Sequence, residues 1–213
     1  GSRGTALVFA GLLAVDLRDE ARLRQSAAAL VAGRRDDEMR PNHFVTPAME
    51  GYVEVLDGHA QAGIARIQRA LAESGGMDHA PGMRAGVVRV LLEACAVAGD
   101  TRAGLATAEQ ALALGGAARV WEAEIHRKRA EFLAAHGAPH DEIDAALTRA
   151  LLIARRQEAR MLELRAATSL LRHRSSRGGA AAREARVLLA AIVDRFTEGR
   201  DTPDLRAATA LLS

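Results

Sequence analysis

At 213 residues, with 49% hydrophobic but only 3% aromatic side chains, the chain can build a sizeable core, but Ala and Leu must fill it in place of rings. These are strong helix formers, whereas sheets draw on β-branched and aromatic residues, so the composition argues against a sheet-based fold and for an all-α one. The formal charge of +2, with Lys128 the single lysine and the arginines interspersed with Asp and Glu, lacks the concentrated basic face that nucleic acid requires.

Taken in chain order, Gly1-Ser2 reads as the remnant of a cleaved tag. The apolar run from Ala6 to Val15 is too short to span a membrane and leads into the charged stretch Asp16 to Arg24, so it reads as a first helix. Apolar periodicity predicts helices over 5–16, 20–34, 43–57, 59–73, 82–98, 102–114, 120–136, 141–156, 160–174, 180–197 and 203–212. Asp19, Thr101 and Asp141 are the expected N-caps. Gly58, Gly75-Gly76, Gly99, Gly115-Gly116, Gly137 and Gly178-Gly179 suit C-caps and turns. Pro41, Pro81 and Pro139 fall in expected loops, and Pro47 fits only the first turn of its helix. Cys95 lies in an apolar run and reads as a buried, inert thiol. With one cysteine no internal disulfide is possible, and a reducing cytoplasm is the expected compartment.

Every second helix carries a similar ending. Ala70-Leu71, Ala111-Leu112 and Ala150-Leu151 recur at steps of 41 and 39 residues, with weaker copies at Ala28-Ala29-Leu30 and Ala190-Ala191-Ile192. Self-similarity at this period marks a helical solenoid, in which one hairpin cannot bury its apolar stripe alone but a stack can. The expected fold is therefore an α-α superhelix of about five helical hairpins plus a C-terminal capping helix, as one domain over 1–213. Helix 160–174 has two apolar stripes, Leu162, Ala166, Leu170 and His173 on one side and Leu164, Thr168 and Leu171 on another, which predicts burial from both sides. Thr202 and Pro203 open the last helix. It is expected to cover helix 180–197 through Leu205, Ala208, Leu211 and Leu212.

The Ala-Leu pair that ends each second helix resembles tetratricopeptide repeats. A closer resemblance spans 121–212. Trp121-Glu122-Ala123-Glu124-Ile125-His126-Arg127 with Ala130-Glu131-Phe132-Leu133, then Ala150-Leu151-Leu152-Ile153-Ala154-Arg155-Arg156-Gln157, then Glu163-Leu164-Arg165-Ala166-Ala167-Thr168-Ser169-Leu170, then Phe196-Thr197-Glu198-Gly199-Arg200-Asp201-Thr202-Pro203-Asp204-Leu205 occur in order. They resemble the C-terminal helical-repeat region of bacterial multidomain signal-transduction ATPases, of the nucleotide-cyclase-linked or winged-helix transcriptional-regulator types. Lys128, Ala130 and Arg200 depart from the family pattern, which has Leu, Gly and Phe there. The resemblance implies a cytoplasmic, non-catalytic protein-interaction or regulatory module. Its partner would be a protein or peptide, including other domains of the same polypeptide, with no direct contact to nucleic acid or membrane.

No phosphate loop, dinucleotide fingerprint or zinc-protease motif occurs, so no cofactor or metal is assigned. The stretch from His136 to Asp141 offers ligand types, but on a Gly-Pro turn. The run Arg172 to Arg177 can bind anions, but it also ends a helix, where cations complement the dipole. Asp36-Asp37-Glu38 lacks the spaced oxygens and the glycine of a calcium loop. Trp121, Ile125 and Phe132 form a core face with Lys128 between them. Glu124, Arg127 and Glu131, with Arg165 on the next hairpin, are expected to point outward, as solvated charges by default or, in the sharper reading, as a candidate partner-binding surface that reads a peptide. The competing readings are a free-standing enzyme using scattered groups such as His126 and Glu131, and an oligomerisation scaffold. The absence of any phosphate cradle has a direct consequence. Calorimetric titration of the chain with Mg-ATP is expected to show no stoichiometric, micromolar binding, and no ATP hydrolysis should be detected.

Overall fold

A computed structural model describes residues 2–33, 44–74, 81–114 and 116–213. Among these residues the regular structure is helical and no strand occurs. The helices are α1 (Ser2–Leu17), α2 (Glu20–Ala32), α3 (Val45–Leu56), α4 (Ala60–Glu73), α5 (Pro81–Ala98), α6 (Thr101–Leu114), α7 (Glu122–Ala135), α8 (His140–Arg156), α9 (Arg160–Ser175), α10 (Gly179–Val193) and α11 (Pro203–Leu212), with a 3-10 turn at Gly116–Trp121 before α7. The acidic stretch Asp36 to Glu38, Pro41 and Gly75-Gly76 lie outside the described residues. None of the described helices is long and apolar enough to cross a membrane.

The chain divides into two compact units, residues 1–107 with 114–118, and residues 108–113 with 119–213. In the first, α1 packs on α2 and α3 on α4, and α5 then lies against both α3 and α4 and reaches α1. In the second, α7 packs on α8, α9 lies against α7 and α8, α10 against α9, and α11 against α9 and α10. Within each unit, then, a helix that opens a hairpin rests on the two helices before it. That is why the alternate helices carry so much buried surface: every residue from Leu162 to Leu171 of α9 is buried, as its two stripes required. The recurrent alanines sit at the same kind of contact. Ala70, Ala111 and Ala150 are all buried, and so are Leu30 and Ile192 of the weaker copies.

The hairpin turns follow from backbone chemistry. Gly58, Gly99 and Gly137 take left-handed φ values of 89°, 69° and 79°, the conformation that favours glycine. Arg18 and Glu158 adopt φ of 54° at the α1–α2 and α8–α9 turns without that freedom, so neither turn carries a glycine signal in the sequence. Asp19 caps α2 by accepting from the Arg22 N–H at 3.0 Å, and Thr202 caps α11 by accepting from the Leu205 N–H at 3.5 Å, with Pro203 first in the helix.

Two expected caps are displaced. Asp100, not Thr101, caps α6, accepting from the Ala103 N–H at 3.0 Å. Helix α8 starts at His140 after Pro139, which places Asp141 inside the first turn, where its charge still favours the helix dipole. Pro81 begins α5 rather than lying in a loop, a position where its missing N–H costs nothing. Helix α10 stops at Val193, four residues early, because the Arg195 and Phe196 N–H groups bond back to the Ile192 and Val193 carbonyls and tighten the chain into a turn. The last helix also differs from expectation. It seats on α9 as well as α10, and it buries Leu205 and Ala208, while Leu211 and Leu212 are only half-buried.

The α3 and α4 backbones approach closely at Gly51 and Gly63. A Cβ added to Gly63 would lie 2.2 Å from the Gly51 carbonyl oxygen and 2.7 Å from Val55 Cγ2; one added to Gly51 would lie 2.6 Å from the Gly63 carbonyl oxygen. Backbone oxygen cannot swing aside as a side chain can, so the two helices would have to part. Overpacking of this kind costs about 1–3 kcal/mol, more than the ~1 kcal/mol that alanine gains over glycine in a helix. Gly63→Ala is therefore expected to lower the melting temperature. Gly82→Ala, in α5 with nothing near its Cβ, is expected to leave it unchanged or raise it. Thermal melts of the two variants beside the parent chain check both.

Candidate functional site

Three of the four charged residues expected to face outward are instead buried in the second unit. Glu124 is 2% exposed, Arg127 5% and Arg165 9%; of the four, only the Glu131 side chain remains substantially open, at 38%. The helical wheel of α7 explains this. It packs on α8 and α9, and the groups between those two contact lines have nowhere to go but inward. Ile125 and Phe132 are buried as expected, and Lys128 is buried between them. Trp121 packs on Ala123, Ile153, Ala154 and Leu162.

Burying charge requires partners, and the geometry supplies them. Arg127 donates through Nε to Glu124 Oε2 at 2.9 Å and through Nη2 to Glu124 Oε1 at 2.6 Å. Its Nη1 donates to Glu131 and, at 3.3 Å, to Ser169 Oγ on α9. Lys128 Nζ lies 3.3 Å from Glu131 Oε2. Arg165 of α9 stands 4.0 Å from Glu124 on one side. On the other, its Nε and Nη2 reach Asp204 Oδ2 of α11 at 2.8 and 2.7 Å. Three cations and three carboxylates thus link α7, α9 and α11 in one network. Beside it, buried Glu163 accepts from Arg155 at 2.8 Å and from Arg195 at 3.0 Å, holding the end of α8 and the segment after α10.

The electrostatics match. Burial alone would raise the Glu124 carboxyl, but the Arg127 charge and hydrogen bonds, with Arg165 and Lys128, outweigh it and bring it from 4.5 down to about 2. Glu131, also raised by burial, is lowered on balance by Arg127 and Lys128. Burial disfavours the Arg165 cation, but Glu124 and Asp204 raise its pKa above the usual value.

A parallel arrangement holds the first unit. Arg89 of α5, 2% exposed, donates to Asp16 of α1 and, at 3.4 Å, to the Leu12 carbonyl. Arg89, Arg127 and Arg165 are spaced 38 residues apart on successive hairpin-opening helices. This equal spacing was available in the sequence and identifies Arg89 as a third member of the set. Asp204 and Asp16, the acids that reach across from other helices, carry no sequence signal of their own.

The remaining candidates separate. His126 and Glu131 are five residues apart on α7, about 140° around the helix. Glu131 meets Arg127 and Lys128, while His126, its pKa lowered by burial and by Arg149 and Arg129 against the pull of Glu122, faces other groups. The two do not converge. In the basic run, Arg174 forms a bidentate pair with Asp144 of α8 at 2.7 and 2.8 Å, and Arg177 lies 3.8 Å from Asp141. The His140 and His173 ring centroids lie 5.2 Å apart with their planes tilted at 41°, and among the described residues no three His, Cys, Asp or Glu side chains are grouped to hold a metal ion. The Cys95 thiol is fully buried, and burial, with Asp100, pushes it up to about 12.

No protein-family model, curated protein or solved structure matches the chain.

The depressed Glu124 carboxyl makes stability depend on pH. Its contribution is fully present above about 4.5, the unfolded value, and is lost as pH falls through about 2, the folded value. Glu124→Gln removes the charge and leaves Arg127 and Arg165 short of a buried partner, a loss on the order of 3–5 kcal/mol. Urea unfolding is expected to show the variant less stable at neutral pH and the gap to the parent closing between pH 4.5 and 2. A gap that stays constant across that window would show that Glu124 is not the titrating group.

Proposed function

We propose that the chain is a non-catalytic protein-interaction module, a tetratricopeptide-like α-α superhelix that serves as the regulatory arm of a larger bacterial signalling ATPase or transcriptional regulator. The observation that carries this reading is the coincidence of two registers. Buried arginines recur every 38 residues on the helices that open hairpins, and Ala-Leu pairs recur at 41 and 39 on those that close them. One structural unit repeated along a chain is what solenoids use to build extended binding surfaces, and the segments between 121 and 212 that resemble the signalling ATPases favour the same context. The partner is a protein or peptide. At the α7–α9 network it would meet Glu131, since Glu124, Arg127 and Arg165 are enclosed among their own counter-ions.

Peptide-display selection on the purified chain, followed by calorimetry with the enriched sequence, tests the proposal. Saturable one-to-one binding that weakens about tenfold in Glu131→Lys, a change of ~1.4 kcal/mol, is the expected result. Failure to enrich any peptide, or turnover of a substrate by the chain alone, would overturn it.

A further inference from the structure

We propose that the α9–α10 face around Arg165 is a helix-docking site that accepts α11 in trans, so that two copies of this chain exchange their last helices. The occupant is known because the site is already filled by it. The Asp204 carboxylate meets Arg165 at 2.7 Å, Leu205 and Ala208 bury beside it, and the Leu212 carbonyl accepts from Arg186 Nη1 at 2.6 Å. A partner for this seat therefore needs an acid at the first turn of a helix, followed by apolar residues at the next position and one turn later. A second α11 has that chemistry by definition.

Three features of the chain make the exchange available. Helix α11 has ten residues, too few to persist alone in water, so its stability comes from docking and is the same on either copy. Its tether is thin. Arg195 is held by Glu163 and Phe196 is half-buried, but 197–201 are exposed on every residue. Lastly, the contact is specific because it is charged. Without a carboxylate at 204, Arg165 loses its contacts at 2.8 and 2.7 Å and stands 4.0 Å from Glu124. Exchange of an identical element across a hinge loop is a low-cost route to a dimer.

Charge complementation tests this with full chains. The Arg165→Asp variant places like charges at its own α9–α11 contact, and so does Asp204→Arg. When the two are mixed, exchange pairs the new Asp with the new Arg and the native Arg165 with the native Asp204, so only the crossed dimer has both contacts satisfied. Size-exclusion chromatography with light scattering is expected to show a one-to-one species of twice the chain mass in the mixture and in neither variant alone. Should a variant fail to fold by itself, co-refolding of the pair is expected to rescue helicity together with the dimer mass. A second measurement uses an otherwise unaltered contact. Buried Cys95 leaves the thiol of a Ser213→Cys chain as the single labelling point, and donor- and acceptor-labelled chains are expected to develop energy transfer that grows with concentration. A mixture that stays monomeric or unfolded, or labelled chains without transfer up to roughly millimolar concentration, where a tethered helix competes on equal terms, overturns the proposal.

Discussion

An arginine taken out of water must find its counter-charge at the place where the fold leaves it. Arg165 is the clearest case, set between Glu124 on the preceding inner helix and Asp204 on the last one. Desolvation makes each of these groups costly alone and tolerable only together, so the position of one dictates where the others lie along their helices. Apolar Ala and Leu surfaces are forgiving about register, since a slide of one turn still presents methyl groups to methyl groups. The Arg165–Asp204 contact between α9 and α11 is not, because its hydrogen bonds, at 2.8 and 2.7 Å, fail within an ångström. In a core built from so few large side chains, the ion network is the part that defines a single alignment of α7, α9 and α11.

The same logic distributes the roles of the helices. Among the helices that open hairpins, α5, α7 and α9 carry the buried, paired arginines. Those that close hairpins present one buried stripe, with small alanines allowing close approach. Gly51 and Gly63 take this furthest, bringing the α3 and α4 backbones to a separation that no Cβ fits. Glu163, with Arg155 and Arg195 on either side, separately ties the end of α8 to the turn that leads into α11.

Much of the secondary structure was legible in the sequence. Glycine positions and apolar period located the helices, and the boundaries at 20, 73, 98, 114, 156 and 203 agree with the observed ones, as does the double burial of α9. What failed was the direction of charge. Glu124, Arg127 and Arg165 read as outward because charged residues on a helix opposite an apolar stripe are usually solvated. The rule fails for a helix with neighbours on both flanks, a tertiary fact that one helix's pattern does not carry. The 38-residue arginine spacing did carry it. Solvated charges have no reason to keep a register along a chain, whereas buried ones must. Asp204 and Asp16 escaped notice because an acid near a helix end is ordinary, and only the fold brings each to its arginine. The early stop of α10 was likewise hidden, since nothing in Asp194-Arg195-Phe196 forbids another helical turn.

Lys128 is the chain's single lysine, and its ammonium is shut between α7 and its neighbours, 6% exposed and 3.3 Å from Glu131. Among its side chains the protein therefore shows solvent no primary amine at all. Acylation, methylation or isopeptide conjugation, which act on accessible lysine nitrogen, has no side-chain foothold unless α7 first opens. The positive surface is made of guanidinium groups that such enzymes do not recognise, so the charge pattern of the outer faces is constant for the lifetime of the folded chain as far as lysine chemistry is concerned.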